Sequence, residues 1–153
     1  METQERTGCF FRFEELRIYS KAVAYSQWLL RTMHAPANEG QKNLFDTFCH
    51  SSYDIALNIA EGSSRNKSQF EHYLKIAKTA IRECFVFTTM ATGMGMMTEE
   101  EGTQSGEYLM EMTRMLGALI ISLQRGRRSQ DDDRDAMPAD EGDDMLDNIE
   151  TDF

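Results

Sequence analysis

The sequence predicts an all-α protein: an antiparallel up-down-up-down four-helix bundle with a disordered acidic C-terminal tail. Three observations lead there. Four segments repeat apolar residues at helical spacing, and no segment alternates apolar and polar residues long enough to read as a strand. These segments run about 20 to 27 residues and are joined by short loops, which favours antiparallel neighbours. Charge is divided along the chain: eleven of the 26 acids lie in residues 131–153 beside one base, Arg134, leaving 15 acids and 15 bases in residues 1–130. The net charge of −10 therefore belongs to the tail. A uniformly acidic body and a histone-like polybasic binder are both excluded.

Residues 1–12 are expected to be a flexible N-terminus, and the bundle to occupy 13–125. The first helix, 13–33, places Leu16, Ile18, Tyr19, Ala22, Val23, Tyr25, Leu29, Leu30 and Met33 on one half of its circumference, at about 100° per residue. Pro36 lies in the loop beyond it. The second helix, 41–61, carries Leu44, Phe45, Phe48, Cys49, Ile55, Ala56, Ile59 and Ala60, and Gly62 stands where a glycine relieves a left-handed C-cap. Ser68-Gln69-Phe70-Glu71 has the form of a capping box, so a third helix is expected over 68–91. Thr98-Glu99-Glu100-Glu101 repeats the pattern for a fourth over 99–125, with Leu109, Met112, Met115, Leu116, Leu119, Ile120 and Leu123 on one face. Residues 126–153, rich in Asp, bury too little apolar surface to offset the entropy of ordering. Within them, Met145, Leu146, Ile149 and Phe153 have the makings of a short docking motif.

The apolar arc of the third helix is wider than one core contact requires. Phe70, Tyr73, Leu74, Ile76, Ala77, Ala80, Ile81, Cys84, Phe85 and Phe87 cover about 180°, against the roughly 100° that suffices. The surplus predicts a second packed surface, hence self-association. Trp28 falls on the polar arc of the first helix and is a candidate anchor in an oligomer interface. Met90, Met94, Met96 and Met97 are expected to fill irregular core space.

A basic stripe is the main candidate for function. Lys75, Lys78 and Arg82 project within about 60° of one another on the helical wheel, and Arg65 and Lys67 precede them. Five bases and one acid between Ser63 and Arg82 form a patch suited to phosphates; the competing reading is a solvated face with Glu71 and Lys75 as an ordinary i, i+4 pair. His50, Asp54, Asn58 and Glu61 share a polar edge of the second helix, but the chain contains neither Glu-x-x-His nor His-Glu-x-x-His, and no metal is expected. With no nucleophile elbow, phosphate-binding Gly-Lys-Ser/Thr loop or His-supported cysteine, neither catalytic residues nor a cofactor are expected. Cys9, Cys49 and Cys84, an odd set without C-x-x-C spacing, are expected to be free thiols. The first residues lack a secretory pattern and no stretch reaches the roughly 18 apolar residues of a membrane span, so a cytoplasmic protein is expected.

Phe11-Arg12-Phe13-Glu14-Glu15-Leu16-Arg17-Ile18-Tyr19, then Ile55-Ala56-Leu57-Asn58-Ile59-Ala60-Glu61-Gly62, then Tyr73-Leu74-Lys75-Ile76-Ala77 with Ile81-Arg82-Glu83-Cys84, resemble the 23S rRNA intervening-sequence proteins. Asn-Ile-Ala-Glu-Gly is the most specific element. The resemblance implies an up-down four-helix bundle, commonly a homopentamer, and relatives that serve as accessory subunits of diversity-generating retroelements, binding reverse transcriptase and nucleic acid. It implies an accessory role without catalysis, with Asn58, Glu61 and Gly62 as structural motif positions. Two departures stand out: His50-Ser51-Ser52 replaces the Arg-Ala-Ala that family members often carry, and the acidic tail extends past the usual end. The expected function is therefore a homo-oligomeric accessory contacting RNA or DNA and a reverse transcriptase through Arg65, Lys67, Lys75, Lys78 and Arg82. The alternative is a protein-interaction scaffold without nucleic-acid binding.

Overall fold

A computed structural model describes residues 11–135. The expectations for residues 1–10 and 136–153 fall outside the described residues. A short 3-10 turn, Arg12–Glu15, leads into four helices: α1 (Arg17–Thr32), α2 (Glu39–Ser63), α3 (Lys67–Gly93) and α4 (Glu99–Asp135). Among the described residues there is no strand. The helices pack in a ring, α1 on α2, α2 on α3, α3 on α4 and α4 on α1.

Helices α2, α3 and α4 each start at a side-chain cap, whereas α1 starts without one. The first predicted helix is broken at Leu16, whose backbone is extended (φ −76°, ψ 122°), so Arg12 and Phe13 belong to a separate turn. Asn38 caps α2 by accepting from the Gln41 amide at 2.9 Å. Asn66 caps α3 the same way, accepting from the Gln69 amide at 2.9 Å. The capping box expected at Ser68 does not form, because Asn66 already satisfies the first-turn donor and Glu71 points inward to partners on α4. At α4 the box is reciprocal: the Thr98 amide donates to Glu101 Oε2 at 3.0 Å and the Glu101 amide to Thr98 Oγ1 at 3.1 Å. Thr98→Ala is expected to cost about 1 kcal/mol, read as a lower midpoint in urea unfolding; an unchanged midpoint would show that solvent replaces the cap.

The core is built from Tyr25 and Leu29 of α1, Phe48, Ile55 and Ile59 of α2, Leu74, Ala77 and Cys84 of α3, and Leu109, Met112 and Leu116 of α4, all fully buried. Leu30, placed by the helical wheel on the core face, is instead exposed. At one end, the His34 amide donates to the Met96 carbonyl at 3.0 Å, tying the α1–α2 loop to the α3–α4 loop. Met96 and Met97 fill the space beneath, whereas Met90 and Met94, expected there too, are exposed. Gly95 adopts φ +73° and turns the chain between α3 and α4.

Hydroxyl groups cross the core in a layer. Tyr25 Oη and Ser105 Oγ lie 2.8 Å apart, and Ser105 Oγ lies 2.8 Å from Thr88 Oγ1, linking α1, α4 and α3. Ser26 donates to Ser52 Oγ at 3.1 Å, and Ser52 to the Cys49 carbonyl at 2.7 Å. Every buried hydroxyl of this set therefore has a partner, as a low-dielectric interior demands. Burial raises the pKa of the Tyr25 phenol and of the free Cys49 and Cys84 thiols, so all three are neutral near pH 7.

Helices α2 and α3 approach closely at Gly62. A side-chain carbon there would lie 2.6 Å from Tyr73 Cβ and 2.8 Å from Phe70 Cδ2. Gly62 sits inside α2 and has no left-handed backbone, so the expected glycine cap is corrected to a glycine of close packing.

Candidate nucleic-acid interface

The Asn58–Gly62 end of α2 acts locally. Asn58 Nδ2 donates to the Asp54 carbonyl one turn back at 2.7 Å. Glu61 is exposed and accepts from Arg65 Nε at 3.2 Å and from Arg65 Nη2. The Arg65 guanidinium also lies 5.5 Å from the Tyr73 ring centre. The Glu61 hydrogen bond, before any other influence, raises the pKa of Arg65. Arg65 is thus occupied at the α2–α3 turn.

Lys75 is likewise engaged, though not in the solvated pair that its spacing suggests. Its partner Glu71 is only 5% exposed and takes 3.1 Å contact from Lys75 Nζ, 2.7 Å donation from Gln124 Nε2 and a short contact from Arg127 Nη2. Gln124, then Lys75, lower the Glu71 pKa, outweighing its burial, with Arg127 adding to the effect. This clamp explains why α4 runs on to Asp135 instead of ending near Arg125: Glu71 anchors Gln124 and Arg127 from α3. Residues 126–135, expected to be disordered, are helical. Lys67 opens α3, and its Nζ lies 3.1 Å from the place a side-chain carbon would take at Gly126.

Lys67, Lys78 and Arg82 form no ion pair with another described residue. Arg82 shares a groove between α3 and α4 with Ile81, Phe85, Leu109, Met110, Thr113 and Arg114. Arg114, which periodicity along a single helix does not connect to the stripe, is brought to it by the packing of α4 on α3. The predicted five-residue patch is therefore divided, with Arg65 and Lys75 held by carboxylates and a cationic centre at Lys78, Arg82 and Arg114.

Trp28 is half-buried inside the protomer. Its ring stacks on Tyr25 with centroids 5.9 Å apart and tilts against Tyr108 of α4 at 5.4 Å. Aromatic partners on α1 and α4 thus hold part of its surface, and the remainder is exposed. Outward-facing apolar side chains include Leu57 of α2, Ile76, Phe85, Val86 and Met90 of α3, and Met110 and Ile121 of α4. No group of three or more His, Cys, Asp or Glu side chains converges among the described residues. No helix among them is long and apolar enough to cross a membrane.

No curated protein matches the chain significantly. A protein-family description does: residues 14–118, from the turn before α1 to about the middle of α4, match the 23S rRNA-intervening sequence protein. The matched span contains the Gly62 contact, the basic stripe and Arg114, and stops short of Gln124 and Arg127. On this match over most of its length, the chain belongs to the 23S rRNA-intervening sequence protein family.

Proposed function

We propose that the protein is a non-enzymatic, homo-oligomeric accessory that contacts RNA, or a reverse transcriptase ribonucleoprotein as in diversity-generating retroelements, through the α3–α4 face. One observation carries the reading: Arg82 and Arg114 line the groove of that face, Lys78 precedes Arg82 by one turn of α3, and none of the three has a carboxylate partner among the described residues. Cations left unpaired on a body of balanced charge are suited to phosphates, which release counterions on contact. Lys67 extends the patch toward the end of α4, while Arg65 and Lys75 shape it through their carboxylates. Chemistry is left to the partner, and the protein needs neither metal nor cofactor.

The helices run up-down-up-down in this reading, supported by Glu71 near the start of α3 meeting Arg127 near the end of α4, and Thr88 near the end of α3 meeting Ser105 near the start of α4. Five copies assemble through outward apolar side chains such as Ile76, Val86 and Met90. Light scattering at micromolar concentration is expected to give several times 17.6 kDa; a monomer defeats the assembly reading. The compartment is the cytoplasm.

Filter binding to one labelled RNA across a salt series tests the nucleic-acid contact. Lys78→Glu with Arg82→Glu is expected to weaken binding and reduce the slope of log affinity against log salt by roughly one per base removed. If wild-type protein binds no RNA at low salt, the exposed apolar residues favour the other reading, a protein-interaction scaffold without nucleic acid.

A further inference from the structure

The groove between α3 and α4 is apolar and open. A cavity of about 280 Å³ is lined by Ile81, Phe85, Leu109 and Met110 and flanked by Arg82 and Arg114. Phe85 is 52% exposed and Met110 50%, so two large apolar side chains stand half in water beside two guanidinium groups. Such a site suits a ligand that is apolar on one side and anionic on the other. The groove continues toward the end of α4: Met110, Arg114, Gly117 and Ile121 follow one another at spacings of four, three and four, along one helix face. Ile121 is exposed, and a side-chain carbon at Gly117 would meet nothing within 4 Å.

We propose that the occupant of this groove is the C-terminal segment of the same chain, residues 145–153. Its sequence spaces Met145, Leu146, Ile149 and Phe153 at i, i+1, i+4 and i+8, a helical apolar face, with Asp147, Glu150 and Asp152 between them. Residues 136–153 contain seven acids and no base, which complements Arg82 and Arg114. The lengths agree. From Arg114 to Asp135 α4 rises about 32 Å, and the ten steps from Asp135 to Met145 span about 33 Å when extended. A fully extended connection is thus just long enough to bring Met145 to the level of Arg114, which would lay the last eight residues along Met110 and Phe85. Pro138 and Gly142 stand in the connecting stretch, where a chain that reverses direction needs helix breakers. The connection makes docking an event within one molecule, so no encounter between separate chains is required.

The proposal goes beyond the RNA reading and does not depend on it. Docking covers Arg82 and Arg114 with carboxylates, so anything phosphate-bearing that approaches this face competes with the tail.

The test uses the full chain carrying Cys9→Ser and Thr151→Cys, with a nitroxide on residue 151 and carbon-13 in the methionine methyl groups. Buried Cys49 and Cys84, whose thiols stay protonated, do not take the label. The Met110 signal is expected to lose more than half its intensity relative to the reduced label, while that of Met33, buried at the end of α1, a helix that does not pack on α3, is quenched less. Arg82→Glu with Arg114→Glu is expected to restore Met110 and leave Met33 unchanged, which separates lost docking from lost folding. A Met110 signal that is never quenched, or that stays quenched in the double variant, overturns the proposal. So does quenching that appears only when nitroxide-bearing chains are mixed with isotope-bearing ones, since a neighbouring copy then fills the groove. No RNA is present, so failure here leaves the RNA reading untouched.

Discussion

Gly62→Val is expected to destabilise the protein by about 2 to 3 kcal/mol, a large part of the roughly 5 to 15 kcal/mol that holds a domain together. The introduced carbon would meet Tyr73 Cβ at 2.6 Å. That atom is fixed to the α3 backbone and cannot rotate away, so α2 and α3 must move apart along their shared contact. Gly62→Ala suffers the same collision, offset by the roughly 1 kcal/mol that alanine gains over glycine inside a helix. The measurement is urea unfolding of both variants, with a lower midpoint at unchanged slope as the expected result. Stabilisation by Gly62→Ala would mean that the helices separate freely at this point. Gly62→Asn adds a further discrimination: a left-handed cap tolerates asparagine, whereas a close contact does not.

Glu71→Ala is expected to cost about 2 kcal/mol at neutral pH, because it removes the acceptor of Gln124, Lys75 and Arg127 together. The loss should be local as well as global, with amide hydrogen exchange accelerating across Gln124–Asp135 before the rest of the bundle. Acid has the same target. The Glu71 pKa is lowered from 4.5 in the folded protein by Gln124 and Lys75 ahead of Arg127. The folded state thus favours the carboxylate; its contribution is complete above pH 4.5 and drains away as pH falls through the lower folded value. Glu71→Gln, which cannot ionise, is expected to flatten the dependence of stability on pH below 4.5. Parallel acid slopes for wild type and Glu71→Gln would remove Glu71 as the source.

Local signals in the sequence transferred best to the structure. Thr98 and Glu101 form their box because both partners sit within one turn of chain and nothing else competes for them. Ser68 and Glu71 have the same spacing and fail, because Gln124 and Arg127, more than fifty residues away, claim the Glu71 carboxylate. The cap at Asn66, two residues upstream of Ser68, was open to recognition from its residue type alone. Gly62 reads as a helix terminator when only its own strip of chain is considered; its reason lies in Phe70 and Tyr73 on the next helix. Trp28 follows the same logic, since a wheel for α1 holds no information about Tyr108. Of the basic stripe, Arg65 and Lys75 are taken by carboxylates that the helical wheel did not weigh, and Arg114 comes beside Arg82 only through the packing of two helices. The extension of α4 past Arg125 was hidden because composition argued for disorder while two side chains, Gln124 and Arg127, found one buried acid.

The hydroxyls that link Tyr25, Ser105 and Thr88 fix more than a few hydrogen bonds. A core of leucine, methionine and alanine accepts a helix shifted along its axis almost as well as the correct one, since one apolar side chain replaces another. A slip of one turn, about 5.4 Å, would carry each hydroxyl away from its partner and leave all three in a dry interior. The layer therefore works as a vernier mark, rejecting misaligned helices that hydrophobic burial alone would accept. By holding α3 and α4 to one alignment, it also sets Arg82 opposite Arg114, so three uncharged side chains in the interior decide where two charges meet on the surface.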